Sequence, residues 1–232
     1  MIGEESDLQD APQASSSGAP PLALIDAIEA RILGSLVEKE ATTPEAYPLT
    51  ANALVLACNQ KNNRDPVLEL EPGEVSHALR VMEERGLVRS VHGARAQRYE
   101  HRFNQSWSVT LKQQAMLSVM LLRGPQTVAE LLNRCERLQA FADAEEVRLT
   151  LERLIQRNPA LMMKLGRQSG QREDRYMHLL CGPVDEAAFA TSARPSTSER
   201  ADRSDIESRL ESLEARVAEL ESELQQLRPR DA

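Results

Sequence analysis

From residue 24 onward, apolar positions recur at the spacing of helix faces. In LIDAIEARILGSLVEKE the residues Ile25, Ile28, Ile32 and Leu36 share one face and predict a first helix. TTPEAYP breaks it, and LTANALVLACNQK begins a second, with Ala51, Leu54, Val55 and Cys58 together. NNRDP ends that helix. A third runs through EPGEVSHALRVMEERG, where Val75, Leu79 and Met82 form the buried stripe and Gly86 supplies a C-cap. Two strand-like segments, LVRSV and QRYEHRF, then flank a turn at HGARA.

The same order returns further along. TLKQQAMLSVMLLRG, TVAELLNRCERL and DAEEVRLTLERLIQR predict three more helices, and ALMMKLGRQSGQREDRYMHLL predicts a second hairpin. The correspondence reaches single residues: Thr50, Leu54 and Cys58 match Thr127, Leu131 and Cys135, while Val75, Leu79 and Met82 match Val147, Leu151 and Leu154. The stretches GARAQRYEH and GQREDRYMH repeat the pattern G-x-R-x-x-R-Y-x-H in the second strand of each hairpin. Strand alternation puts Tyr99, His101 and Phe103 on one face, and Tyr176, His178 and Leu180 on another, both expected to face the core. Three helices and a hairpin, given twice, predict two tandem winged-helix domains, a mainly α fold with short β-hairpins.

Beyond Pro183 the pattern changes. A polar linker is followed by Ile206, Leu210, Leu213, Val217, Leu220, Leu224 and Leu227, alternating four and three residues apart, which predicts a coiled-coil helix. With Leu210 at position a, the flanking pairs of a parallel dimer are Arg209 with Glu214, Arg216 with Glu221 and Glu223 with Arg228, each opposite in sign. The expected organisation is an acidic Ser- and Pro-rich tail over 1–21, winged-helix domains over 22–104 and 105–183, a linker over 184–204 and a coiled-coil helix over 205–228, with homodimerisation through 206–227.

The 232 residues are 41% apolar but only 3% aromatic, so the cores must be built from Leu, Val, Ile, Met and Ala, which suits helices. The net charge of −8 is uneven: residues 1–23 carry −4, residues 24–183 carry +1 and residues 184–232 carry −5. The expected folded part is therefore close to neutral, and global charge neither selects nor excludes a polyanionic partner. Three well-separated cysteines without a C-x-x-C pattern fit a reducing, cytoplasmic setting, and the longest apolar run, AMLSVMLL, is too short for a membrane span.

The residues of CNQKNNRDPV, with EARILGSLVEKEATTPEAYPLT, LLRGPQT and RYMHL, resemble the YceH family of uncharacterised bacterial proteins over roughly residues 24–183. The resemblance implies tandem winged helices and carries no activity, ligand or site.

No phosphate-binding loop, H-E-x-x-H, G-x-S-x-G or dinucleotide-binding glycine pattern is present, and no metal or cofactor is expected. The expectation is a non-enzymatic binding protein associated with duplex DNA, the alternative being a protein-interaction adaptor. A winged helix sets its third helix in the major groove and its wing beside the backbone. On that basis Ser76, His77 and Arg80 are candidate contacts from the third helix. Arg95, Arg98, Arg172 and Arg175 are candidates from the hairpins, and Lys61 and Arg64 from the polar run after the second helix. Against DNA stand the acids in EPGEV and DAEEV, which favour the helix dipole but repel phosphate.

Overall fold

The computed structural model describes residues 23–92, 96–166 and 173–184. The tail, the linker and the heptad segment lie outside these, as do Arg95 and Arg172.

Helix α1 (Ala27–Thr42) opens on a reciprocal cap: Asp26 accepts from the Glu29 amide at 2.8 Å and Glu29 accepts from the Asp26 amide at 3.0 Å. A 3-10 turn over Pro44–Ala46 leads to strand β1 (Leu49–Thr50), and Thr50 caps α2 (Ala51–Cys58). Helix α3 (Pro72–Glu84) begins with Pro at its first position, and β2 (Val88–His92) pairs antiparallel with β3 (Gln97–His101). After a short helix α4 (Phe103–Trp107), the second half repeats the order with α5 (Leu111–Arg123), α6 (Val128–Cys135), α7 (Ala144–Ile155), β4 (Met162–Leu165) and β5 (Arg175–His178). The described residues are mainly helical, with two small antiparallel sheets among them.

Each sheet carries an extra edge that periodicity does not announce. β1 joins β3 with Leu49 opposite Tyr99, giving the order β1-β3-β2. In the second half Gln126 exchanges two backbone bonds with Tyr176, at 3.0 and 2.8 Å. The residue just before each helix cap thus pairs with the repeated Tyr.

Phe103 departs from the expected strand face. The strand ends at His101, and Phe103 opens α4, where its ring is fully buried and lies 4.7 Å from the Trp107 ring. Turning into a helix buries both aromatics against the core.

The two halves share one apolar core. Ile32, Leu33 and Leu36 of α1, Leu54 of α2 and Leu79 and Met82 of α3 belong to the same buried cluster as Met116, Leu117 and Met120 of α5, Leu131 of α6 and Leu151 and Leu154 of α7. α1 and α5 pack closely at Gly34, where a Cβ would lie 2.8 Å from Leu122 Cγ and Cδ2. Two backbone bonds join the halves outside the helices: the Ile25 amide donates to the Leu180 carbonyl at 2.9 Å and the Asp65 amide to the Leu122 carbonyl at 2.8 Å.

Candidate interaction surface

Helix α3 turns Val75, Ala78, Leu79 and Met82 inward, which leaves Ser76, His77 and Arg80 together on its exposed side. Arg80 donates to Glu84 at 2.9 Å and lies 3.3 Å from His77 Nδ1. Ser76 donates to the Pro72 carbonyl at 2.8 Å. The surface is polar and internally hydrogen-bonded, with one cation already paired. Aligning the third helices puts Arg148, Leu149 and Glu152 of α7 at the corresponding positions, all exposed, with Leu149 at 46%. The two third helices therefore present different chemistry, wholly polar on α3 and mixed on α7, where a base, an apolar group and an acid lie together.

The other predicted contacts divide. Lys61 is exposed in the turn after α2. Arg64 is a correction: it is not a surface group, because its side chain is 0% exposed and forms a 2.6 Å ion pair with Glu38. It also donates to the Ala57 carbonyl at 2.8 Å and to its neighbour Asn63's carbonyl at 2.8 Å. Around it the polar run is bound into the fold. Asn59 closes a two-way pair with the backbone of Leu70 at 2.8 and 2.9 Å, and Arg31 reaches the carbonyls of Cys58 at 3.1 Å and Pro66 at 2.6 Å. A helix end and its loop are saturated here by side chains, as buried backbone requires.

Arg98 and Arg175 are engaged with backbone. Arg98 donates to the Pro48 carbonyl at 2.7 Å and Arg175 to the Pro125 carbonyl at 2.8 Å. Nearby cations are likewise matched: Arg89 pairs with Glu100 at 2.6 Å and Arg85 with the buried Glu29 at 2.7 Å.

The repeated histidines have diverged. His101 Nδ1 accepts from the Phe103 amide at 3.2 Å, which leaves the proton on Nε2 facing Glu40 at 2.8 Å. That bond holds the Glu40 carboxyl below its ordinary value. His178 is buried with no partner for Nδ1, and burial pushes its pKa down to about 4. Burial also raises the thiols of Cys58, to about 11, and Cys135, to about 12, which keeps both protonated. Among the described residues no group of three or more His, Cys, Asp and Glu could hold a metal ion, and no helix is long and apolar enough to cross a membrane.

Periodicity gave no sign of several charged residues that organise this surface. Glu29, Arg31, Arg85 and Arg123 act through partners distant in the chain or through local amides, and Arg134 through Gln126 and Glu130 on or just before its own helix. The one available signal was Arg31, which follows Ile28 by three residues and so falls near the apolar stripe of α1.

A mainly helical protein whose described residues form two matched halves with small antiparallel sheets is the class that these observations define. The chain belongs to the family described as "Protein of unknown function, DUF480", which matches residues 25–171. It is 52% identical over 211 residues to a UPF0502 protein of Stenotrophomonas maltophilia strain K279a, covering 90% of this chain and 96% of the relative. A UPF0502 protein of Xanthomonas campestris pv. campestris strain B100 is 53% identical over 213 residues, covering 90% and 95%. One from Mesorhizobium japonicum is 49% identical over 207 residues, covering 89% and 97%.

Proposed function

We propose that the chain is a non-enzymatic, cytoplasmic binding protein made of two tandem winged helices, and that its partner is another protein met by the exposed faces of α3 and α7. The observation that supports this is the commitment of the hairpin arginines among the described residues. A winged helix that grips DNA needs free guanidinium groups for phosphates. Here Arg98 and Arg175 serve backbone carbonyls, Arg89 serves Glu100 and Arg80 serves Glu84. The exposed Leu149 and the mixed charges beside it on α7 suit a protein surface better than a uniform polyanion.

Association with duplex DNA is the second reading. The grouping of Ser76, His77 and Arg80 on the open face of a third helix favours it, because that face is the one a winged helix lays in the major groove.

Titrating labelled random-sequence duplex at two salt concentrations separates the two. The adaptor reading expects binding no tighter than about 10⁻⁴ to 10⁻⁶ M at physiological salt. It also expects photo-crosslinks from positions 77 and 149 to a protein that survive nuclease treatment. Tighter, sequence-dependent binding that Arg80→Ala relaxes would replace it with the DNA reading.

A further inference from the structure

Around the junction of the α2–α3 loop with the α5–α6 turn, four guanidinium groups meet two carboxylates. Arg64 pairs with Glu38 at 2.6 Å, and the same carboxylate also acts on Arg123 at longer range. Glu130 is shared, 3.2 Å from Arg175 and 3.7 Å from Arg134. Arg123 donates to the Asn63 side-chain oxygen and has no carboxylate within ion-pair distance among the described residues. Asp65, next in sequence to Arg64, acts on Arg31 and not on Arg123. Two positive charges are left over in a body that is otherwise close to neutral.

Those charges are partly withdrawn from water. Arg123 is half-buried, and the Arg134 and Arg175 side chains are only 28% and 35% exposed. Burial first, then the neighbouring Arg134 and Arg64, lower the Arg123 pKa, and the opposing pull of Glu38 and Glu130 does not cancel them. Keeping like charges half-buried together costs stability that an anion would return. The surrounding groups are fixed. Gln126 donates through its amide to the carbonyls of Arg123, Gly124 and Pro125 at 3.3, 3.2 and 3.0 Å, and its side-chain oxygen accepts from Arg134. The Asp65 amide on the Leu122 carbonyl holds the loop beside the end of α5.

We propose that this junction is an oxyanion site that takes a phosphate dianion, free or as a monoester, through the guanidinium groups of Arg123 and Arg134. A planar guanidinium presents paired N–H groups that match the oxygens of a phosphoryl group, and a surplus of two charges matches a dianion better than a carboxylate. The site shares no residue with the exposed faces of α3 and α7, so it stands or falls apart from the adaptor reading. Because it lies where the halves meet, occupancy would tie the α2–α3 loop to α5 and α6.

The test uses the full chain and inorganic phosphate, followed by calorimetric titration and thermal melting, against sodium chloride and acetate at matched ionic strength. Saturable phosphate binding is expected, with a rise in melting temperature that chloride does not produce. Arg123→Gln and Arg134→Gln should each weaken that binding at least about tenfold, while Arg153→Gln on the exposed side of α7 leaves it unchanged. Melting in chloride shows whether each variant is folded, and either of the two serves if the other is not. Adenosine monophosphate binding with similar affinity would indicate a monoester as the source, and inorganic phosphate binding alone would indicate the free ion. An equal effect of chloride, undiminished binding in both folded variants, or a duplex oligonucleotide binding through Arg123 when phosphate does not would overturn the proposal.

Discussion

Arg98 and Arg175 hold equivalent places: each donates to the carbonyl of a proline, Pro48 or Pro125, two residues ahead of a helix-capping threonine, Thr50 or Thr127. The adjacent Tyr99 and Tyr176 pair through their backbones with the residue between proline and threonine. The R-Y dipeptide thus fastens the second hairpin strand to the start of the second helix, which accounts for its repetition. Arg98→Ala and Arg175→Ala should each cost about 1 to 3 kcal/mol in chemical denaturation, the range for a hydrogen bond from a charged donor. Arg175→Ala should cost more, since it also loses Glu130. Unchanged stability with lost partner binding would instead make these arginines contact residues. His178 makes a pH-dependent contribution. Its imidazole takes a proton near 6.5 when unfolded and near about 4 when folded, so the unfolded state binds the extra proton between those values. Stability from this group is complete above about pH 6.5 and drains as pH falls toward 4, by up to about 3 kcal/mol. His178→Leu should remove that part of the slope, which denaturation curves of both proteins across this window would measure.

At the scale of elements, the crossing of α1 and α5 depends on the missing side chain of Gly34. A glycine inside a helix costs roughly 1 kcal/mol against alanine, and here close approach to Leu122 explains its presence. Gly34→Ala should gain that propensity and lose more to the clash, for a net loss of about 1 to 2 kcal/mol. Gly34→Val should lose further. Pairing either with Leu122→Ala should recover part of the loss, and the interaction energy of the double-mutant cycle checks the account. Strict additivity would place the strain elsewhere. The helices that start well are capped by residues their own segments supply: Asp26, Thr50, Thr110, Thr127 and Asp143 each accept from an amide in the first turn.

For the whole molecule, the heptad seam makes its own prediction. Leu210, Leu213, Val217, Leu220, Leu224 and Leu227 with three complementary flanking pairs lead us to expect a parallel homodimer. Light scattering at tens of micromolar should give twice the chain mass for the full protein and the single mass for a chain ending at Pro183. A monomer in both cases would remove the seam as a dimerisation device. A dimer would also present two copies of each third-helix face, raising the avidity of a weak contact without any new one.

Local periodicity determined the long helices, their order, the two strand pairs and the matched halves, though not α4, because a residue's side of a helix or strand is fixed by its spacing from its neighbours. The buried stripe Val75, Leu79 and Met82, the corresponding stripe Val147, Leu151 and Leu154, and the exposed group Ser76, His77 and Arg80 were all legible that way. Tertiary structure alone decided which charges met across long stretches of chain. Arg64 lies in a polar run that reads as surface, yet it is buried because Glu38, 26 residues earlier, meets it from α1. Arg85 finds Glu29 across 56 residues, and Arg123 is left beside Asn63 across 60. An ion pair forms wherever folding brings opposite charges within a few ångströms, and periodicity holds no record of that distance. The sequence therefore determined which residues could face outward, and the packing of the two halves determined which of them remain available to a partner.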